Sequence, residues 1–323
     1  MNASSALRDK LIKLDSAIGA NMVQMSLVVI LLSYLFPLPS TPWDTGIVMT
    51  AFAIISFNSS INTTFTEFFG RLKTPCLSGY MLFLTHVVCP CIALVLGYVF
   101  YRGDEAVRAG LLISSAVPVA TTSLMWVAVS GGAVSLAILT VTINALLSPI
   151  IIPLSLFITM GATIELNYAE LIVKMMVMTT IPSLLGMSFQ NVAGVEKCQK
   201  ASVYLNLMTK CMMFVILYLS SSTALRGFVP SLSTMKLMFV LLIYILLKFM
   251  VGYAGFYVLK GKTLEERIAG IFCCGLRNTG VAIIIAVSYF EPDAAIPLIF
   301  TMVLQQPVAG LISNVIVKRK NMR

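Results

Sequence analysis

Long apolar stretches follow one another along almost the whole chain, and only short polar segments separate them. A helix that crosses a bilayer needs about 20 predominantly apolar residues. The pattern therefore predicts ten membrane-spanning helices, at about 19–37, 45–63, 74–100, 105–128, 132–158, 166–187, 201–223, 234–259, 264–289 and 292–317. The longest polar connection is predicted at about 188–200, and no segment is typical of a separate extramembrane domain.

The composition agrees with this pattern. Of the 323 residues, 59% are hydrophobic and only 11% are charged, whereas about 25% of a soluble domain is charged. So few charges could not cover the surface of a soluble protein of this size. We therefore exclude a soluble enzyme, a nucleic-acid-binding protein and a disordered protein. The prediction is an all-α polytopic protein of the cell membrane, with the lipid bilayer as its main partner.

The distribution of basic residues predicts the orientation. The net charge is +9, and short cytoplasmic loops of membrane proteins are enriched in Lys and Arg. With the N-terminus in the cytoplasm, thirteen basic residues fall in inside loops, and the outside loops hold only Arg102 and Arg226. Both ends of the chain are basic, which predicts an even number of spans and two cytoplasmic termini.

Two of the predicted spans are interrupted at matching positions. The fourth is interrupted near 117–123 and the ninth near 275–280. With five spans in each half, the second half must run inverted, and paired broken helices in inverted repeats are typical of a binding site at the membrane midplane. The sequence predicts two inverted five-helix repeats with broken helices 4 and 9. The alternative is that Pro118 only kinks one helix and Gly275 and Gly280 only allow close packing.

Charge near the middle of the predicted spans is exclusively basic. No acidic residue lies near the middle of a predicted span, whereas Arg277 lies inside the second break, next to Asn278 and Thr279. A guanidinium presents a planar fork that suits a carboxylate, so we predict an anion site; alternatively, Arg277 binds backbone carbonyls and locks the break. Lys210 and Lys248 are expected to snorkel along their helices or to face a water-filled crevice.

Few other side chains carry chemistry. His86, the single histidine, could carry a proton or could be a hydrogen-bonded structural residue. The segment Gln305-Gln306-Pro307 is predicted to interrupt the tenth span and to supply amide contacts. An enzyme based on Cys273 or Cys274 would lack both a carboxylate and a second histidine. We therefore predict no catalytic residue, no metal site, no cofactor and no enzymatic activity.

Three local patterns resemble those of the bile acid:sodium symporter family. Residues 117–123 (Val-Pro-Val-Ala-Thr-Thr-Ser) resemble its Pro-Gly-Gly-Thr-Ala-Ser-Asn break, and Leu147-Ser148-Pro149 resembles the Ser-Pro that follows. Residues 273–280 (Cys-Cys-Gly-Leu-Arg-Asn-Thr-Gly) resemble its Glu-Val-Gly-Met-Gln-Asn-Ser-Gly segment. The resemblance covers nearly the whole chain and includes bacterial homologues that handle bile acids, pantoate and other organic anions.

The resemblance implies a single transporter unit over 1–323. A panel would comprise about 19–63 and 166–223, and a core would comprise about 74–158 and 234–317. Spans 4 and 9 would cross at their breaks, and the substrate would bind beside that crossing, between panel and core. Thr121 and Asn278 match family positions that contact substrate, and Gln306 falls near another. Together with the residues around the breaks, the predicted substrate-binding set is Arg277, Asn278, Thr279, Thr121, Thr122, Ser123, Gln305 and Gln306.

The first sodium site of the family is largely replaced. Its carboxylate aligns with Cys273, its asparagine with Leu124, and its serine and threonine partners near Ala137 and Val141. Only Ser123 keeps a suitable oxygen. Sodium is a hard cation that needs oxygen ligands, so the resemblance implies that this set holds it poorly.

The second sodium site is also altered. Its glutamine aligns with Arg277, and a glutamine of the third span aligns near Thr85, next to His86. A guanidinium repels a cation and could supply its charge instead. Sodium coupling is thereby called into question. Coupling to sodium at a residual site, coupling to protons through His86, and transport without a coupling ion all stay open.

We predict a secondary-active or facilitative transporter that moves a small organic anion by alternating access. Pantoate-like compounds, keto acids and bile acids are the candidate substrates. The alternative is a membrane receptor that senses an anion without transporting it, although no long loop or tail is present to pass on a signal. The oligomeric state stays open.

Overall fold

The computed structural model describes residues 3–39, 41–61, 64–66, 75–160, 167–226, 228–258 and 263–321, and its regular elements are helices. The chain divides into two compact units. The first comprises Met1–Arg71 with Val173–Arg226, and the second comprises Leu72–Ile172 with Gly227–Arg323. In each unit, segments far apart in sequence pack together.

The first unit is built from helices α1 to α3 and from the helices of 173–226. In chain order its elements are α1 (Ala3–Ala20), α2 (Met22–Leu35), α3 (Asp44–Ser60), the end of α9 (Tyr168–Met175), a π-helical turn (Met176–Thr180), α10 (Ile181–Ala193) and α11 (Val195–Ala224). Its polar centre is Asn58, whose amide donates to Asn206 Oδ1 at 2.9 Å and to Thr209 Oγ1 at 3.1 Å.

Two features of this unit differ from the sequence prediction. The polar stretch 188–200 is helical on both sides of a single residue, Gly194, which has a positive φ of 84°. The predicted long connection is therefore wrong, because the polar residues belong to the extended ends of α10 and α11. Lys210 has a partner that the sequence does not predict, since its Nζ lies 2.8 Å from Oδ1 of Asp15 on α1.

The second unit contains both predicted breaks. Its helices are α4 (Pro75–Phe83), α5 (Cys89–Phe100), α6 (Glu105–Ala116), α7 (Thr122–Val129), α8 (Val134–Met160), the start of α9, α12 (Leu232–Val258), α13 (Leu264–Gly275), α14 (Thr279–Tyr289) and α15 (Ile296–Asn321). A π-helical turn, Leu84–Val88, joins α4 to α5 without a break, and a short 3-10 turn, Pro292–Ala295, precedes α15. Helices α6 and α7 are the two parts of the fourth predicted span, and α13 and α14 are the two parts of the ninth.

Six helices of the described residues are long and apolar enough to cross a membrane: Gly79–Phe100, Val134–Thr159, Tyr168–Ala193, Val195–Ala224, Leu232–Val258 and Pro292–Lys318. The pair Lys10–Gly19 and Gln24–Leu35, bent by 73°, would form a seventh span. The prediction of an all-helical, polytopic membrane protein is confirmed in this form. The count of ten spans and the inverted repeat stay predictions.

The second unit is held together by close contact between α12 and α13. A Cβ at Gly252 of α12 would lie 2.7 Å from Cα of Ile271 on α13, and it would also meet the carbonyl of Gly270. Helices in lipid gain little from hydrophobicity and associate through tight packing of small residues. Gly252 therefore allows the two backbones to touch.

We expect Gly252→Ala to lower the thermal stability of the purified protein, because overpacking typically costs about 1–3 kcal/mol. The matched control is Gly79→Ala on α4, where nothing lies within 4 Å of the added Cβ. Alanine there should be neutral or stabilising by roughly 0.5–1 kcal/mol. Thermal unfolding in detergent measures both variants. Equal melting temperatures for the two variants would contradict the packing argument.

Candidate functional site

The two breaks of the second unit cross and hydrogen-bond to each other. Val119 and Arg277 face each other as an antiparallel pair. The amide of Ala120 donates to the carbonyl of Leu276 at 3.2 Å, and the amide of Asn278 donates to the carbonyl of Pro118 at 2.9 Å. Non-helical backbone at membrane depth is tolerated only where other groups satisfy it. Each break therefore supplies the hydrogen-bond partners that the other lacks.

Local sequence explains where the helices stop. Pro118 lacks an N–H and disfavours helical backbone at the residue before it, and Val117 is extended, with ψ at 158°. In the second break α13 ends at Gly275, and Leu276 is extended, with ψ at 123°. A side chain at Gly275 would collide with the ring of Phe249. Proline interrupts one span, and tight packing fixes a glycine at the end of the other.

Two helices begin at the crossing. Helix α7 starts at Thr122 and α14 at Thr279, and neither has an acidic residue in its first turn. The side chain of Asn278 caps α14 by accepting from the amide of Val281 at 3.5 Å. Helix N-termini carry partial positive charge and unpaired N–H groups. Several amides of these first turns are already hydrogen-bonded, including those of Ser123, Leu124 and Thr279, so the partial positive charge is the feature of the crossing that favours a bound anion.

Arg277 lies at the centre of the crossing and is fully buried. Its guanidinium donates to the carbonyl of Thr85 and, at 3.5 Å, to that of Val117. No carboxylate of the described residues forms an ion pair with it. A positive charge is thus held inside the unit by carbonyl dipoles alone. These contacts are the ones expected from the alternative interpretation, in which Arg277 binds backbone carbonyls and locks the break.

The carbonyl of Thr85 is free to accept because of the π-helical turn. In that turn the amide of Cys89 donates to Leu84 rather than to Thr85. With the same five-residue spacing, the donor to the carbonyl of Thr85 would be the amide of residue 90. That residue is Pro90, which has no N–H. The guanidinium of Arg277 takes the place of the missing donor and ties the third predicted span to the crossing.

Gln305 holds the backbone of Arg277 from a third direction. Its Oε1 accepts from the amide of Arg277 at 3.3 Å, and its Nε2 donates to the carbonyl of Arg277 and to Thr279 Oγ1, both at 3.2 Å. Helix α15 runs without interruption through Gln305, Gln306 and Pro307. The predicted break of the tenth span is wrong, whereas the predicted amide contacts are present.

The predicted binding residues fall into two groups. Four are buried, namely Arg277, Gln305, Thr279 and Ser123. The other four have accessible side chains: Thr121 is exposed, and Thr122, Asn278 and Gln306 are half-buried. Only the accessible group presents side-chain atoms to a molecule in solution, and the buried group supports it.

Gln306 connects the accessible group to the aromatic side chains. It donates to Thr122 Oγ1 at 3.0 Å and accepts from the indole of Trp126 at 2.9 Å. The indole stacks on Phe272 with 6.4 Å between ring centroids. Sequence reasoning missed Trp126, although one of only two tryptophans, lying seven residues from Val119, is itself a signal.

His86 follows Thr85 in the π-helical turn. Its Nε2 lies 2.5 Å from Oδ1 of Asn144 on α8, and Asn144 in turn donates to the carbonyl of Thr140 at 2.8 Å. Nδ1 of His86 has no hydrogen-bond partner among the described residues. Sequence reasoning missed Asn144, yet an asparagine inside an apolar span is a signal for an interhelical contact.

The residues that the resemblance aligns with the first sodium site of the family do not fit that ion. Cys273, Ala137 and Val141 are buried in one apolar cluster, and Leu124 packs against it. Ser123, which lies beside Cys273, supplies a single hydroxyl. Hard cations require several oxygen ligands, and this cluster lacks them.

The second sodium position does not fit the ion either. The guanidinium of Arg277 already binds the carbonyls of Thr85 and Val117. These are the kind of oxygens that a hard cation would use. A second positive charge at this point would be repelled and would find its ligands occupied.

Gln305→Leu is expected to destabilise the protein by about 1–3 kcal/mol, because it leaves the amide of Arg277 buried without its partner and removes one of two donors to the carbonyl of Arg277. Gln306→Leu is the matched control on the adjacent position. Its half-buried partners can bind water, so the loss should be smaller. Thermal unfolding measures the stability of both variants. An equal loss of stability would contradict the role of Gln305 in holding the backbone of Arg277.

The sequence profile of the SBF-like CPA transporter family matches residues 20–321. A protein of Bacillus subtilis (strain 168), described as "Uncharacterized protein YbaS", is 31% identical over 266 residues. That alignment covers 80% of this chain and 85% of the relative. The match extends across both breaks and all the site residues, and it confirms the resemblance to the bile acid:sodium symporters. The chain belongs to the SBF-like CPA transporter family.

Proposed function

We propose that the chain is a secondary transporter that moves a small organic anion across the cell membrane by alternating access. The observation that carries this proposal is the charge at the crossing. Two helix N-termini and the buried guanidinium of Arg277 meet there, and no described carboxylate pairs with the guanidinium. A site with uncompensated positive potential favours an anion, and the family supports a transporter.

Within this proposal the accessible side chains bind the substrate. Thr121, Thr122 and Asn278 offer hydroxyl and amide groups at the start of α7 and α14. A carboxylate there would accept hydrogen bonds from these side chains and would lie in the positive potential of the two helix N-termini. Arg277 acts on it through its electric field and not through a direct contact, because its N–H groups face the carbonyls of Thr85 and Val117.

The architecture proposed around this site has ten spans in two inverted five-helix repeats, with both termini in the cytoplasm. The two crossing breaks support the inverted repeat. The excess of Lys and Arg in the loops assigned to the cytoplasm supports the orientation.

Transport is proposed to be independent of sodium. Arg277 supplies the positive charge that a bound cation would otherwise bring. Its guanidinium already binds one carbonyl oxygen of the first break, that of Val117, and one of the π-helical turn, that of Thr85. A fixed cation neutralises an anion in the same way but adds no ion gradient to the driving force.

A thermal-shift screen tests the role of Arg277. Pantoate, pyruvate and taurocholate are added separately to purified protein, in sodium and again in potassium. Because a ligand of the native state raises the melting temperature by mass action, at least one of these anions should stabilise the wild type equally in both salts. Arg277→Gln should lose that shift.

The outcomes of this screen are distinct. Stabilisation that requires sodium would contradict sodium independence. An undiminished shift in a folded Arg277→Gln protein would contradict the electrostatic role. Binding without uptake into sealed vesicles would favour the receptor.

Asn278→Asp tests where the anion binds. A carboxylate at this position still accepts from the amide of Val281 and keeps the cap of α14. It also places a negative charge in the accessible group, which should weaken anion binding at least tenfold, about 1.4 kcal/mol. The control is Asn191→Asp at an exposed position of α10, which changes the net charge equally. Titration of the stabilising anion by thermal shift compares the two, and equal affinity would contradict this site.

A further inference from the structure

A second basic side chain is buried in the same unit without a partner. Lys248 on α12 has no solvent exposure, and its Nζ has no hydrogen-bond acceptor among the described residues. Nζ lies 4.7 Å from the centroid of the ring of Tyr244, one helical turn earlier. The sequence expectation that Lys248 snorkels or faces a crevice is wrong in this conformation.

Complete burial and the nearby guanidinium of Arg277 oppose a positive charge at Lys248, whereas the ring of Tyr244 and the thiol of Cys89 favour it. From α12 it faces Tyr244, from α5 Cys89, and from the second break Arg277. The other titratable groups near this point are Cys273 and Cys274 at the end of α13 and His86 in the π-helical turn, all within the field of Arg277. None of these is a carboxylate. A buried ammonium without a counter-ion is costly unless it gives up its proton.

Other residues are less suited to carrying a proton. A guanidinium does not lose its proton in a protein, so Arg277 is a permanent charge. His86 is already engaged with Asn144 through Nε2. The amine of Lys248 has no hydrogen bond among the described residues, so none has to break when it gains or loses a proton.

We propose that Lys248 carries the proton that is transported together with the anion, which deepens the proposed function and rests on it. In the conformation described, Lys248 is an uncharged amine. When the anion enters, it compensates the charge of Arg277 and allows Nζ to bind a proton from the water on that side. The ammonium and the anion stabilise each other, as coupled ligands do reciprocally.

The transfer of one proton to and from Lys248 defines the class of transport. One N–H bond forms on Nζ with a proton taken from water on the entry side. The same bond breaks when the anion leaves, and the proton returns to water on the exit side. One proton and one monocarboxylate cross together, so no net charge moves. The protein is thereby a proton-coupled anion symporter.

Two flux measurements in proteoliposomes separate coupling from transport. Labelled pantoate, pyruvate and taurocholate are used separately, first in exchange between two sides at equal pH, and then in accumulation with the outside about one pH unit more acidic, which can drive about tenfold accumulation. Wild type should do both. Lys248→Met should exchange but not accumulate.

The matched control is Lys236→Met on the same helix. Lys236 is exposed and donates to the carbonyl of Phe100 at 2.8 Å, so this variant should accumulate anion as the wild type does. Accumulation by Lys248→Met at the wild-type level would overturn the proposal. Absence of exchange by the wild type with all three anions would instead count against the proposed function.

A measurement without substrate tests Lys248 directly. Solid-state NMR of protein labelled at lysine distinguishes an amine from an ammonium through the Nζ and Cε shifts, and the Lys248 signal is assigned by its loss in Lys248→Met. At neutral pH and without anion, Lys248 should be an amine and Lys236 an ammonium. An ammonium signal at Lys248 would overturn the proposal, whatever the flux measurements show.

Discussion

The structure of the second unit depends on satisfying backbone hydrogen bonds where two helices are broken at membrane depth. An unpaired amide or carbonyl in hydrocarbon costs several kcal/mol, so neither break would be stable alone. The pairing of Val119 with Arg277 solves the problem for both breaks at once. The π-helical turn creates a third unpaired carbonyl at Thr85, and the guanidinium of Arg277 satisfies it. Arg277 is therefore a structural residue and a source of charge for the same geometric reason.

Among the described residues no acidic side chain pairs with Arg277, and this supports the proposal that the crossing binds an anion. In a transporter core that holds a metal cation, carboxylates and hydroxyls surround a positive ion. Here the positive charge belongs to the chain, and the positions that would supply oxygens are the apolar residues Ala137 and Val141 and the thiol of Cys273. An anion is the complement of such a site. The same lack of carboxylates makes Lys248 sensitive to whatever negative charge enters.

Much of this could be predicted from sequence, because the signals were local. Apolar runs of about 20 residues predicted the six long apolar helices, Pro118 and Gly275 marked both breaks, and Arg277 was the one charge inside a break. Contacts between distant segments could not be predicted in the same way. Asp15 pairs with Lys210 across 195 positions, and Asn144 meets His86 across 58. The polar ends of α10 and α11 were read as a loop because helices that extend beyond the bilayer no longer follow the apolar pattern.

The three-way connection at Arg277 also has a consequence for the direction of transport. Hydrogen bonds from its side chain and backbone join the π-helical turn, the first break and α15, through Thr85, Val117 and Gln305. Elements joined in this way move together, so the groups that face a substrate keep their arrangement whichever side of the membrane is open. A carrier with an unchanged site has the same intrinsic affinity on both faces. Under the proposed proton symport, the combined gradients of the anion and the proton then decide whether the cell imports or exports.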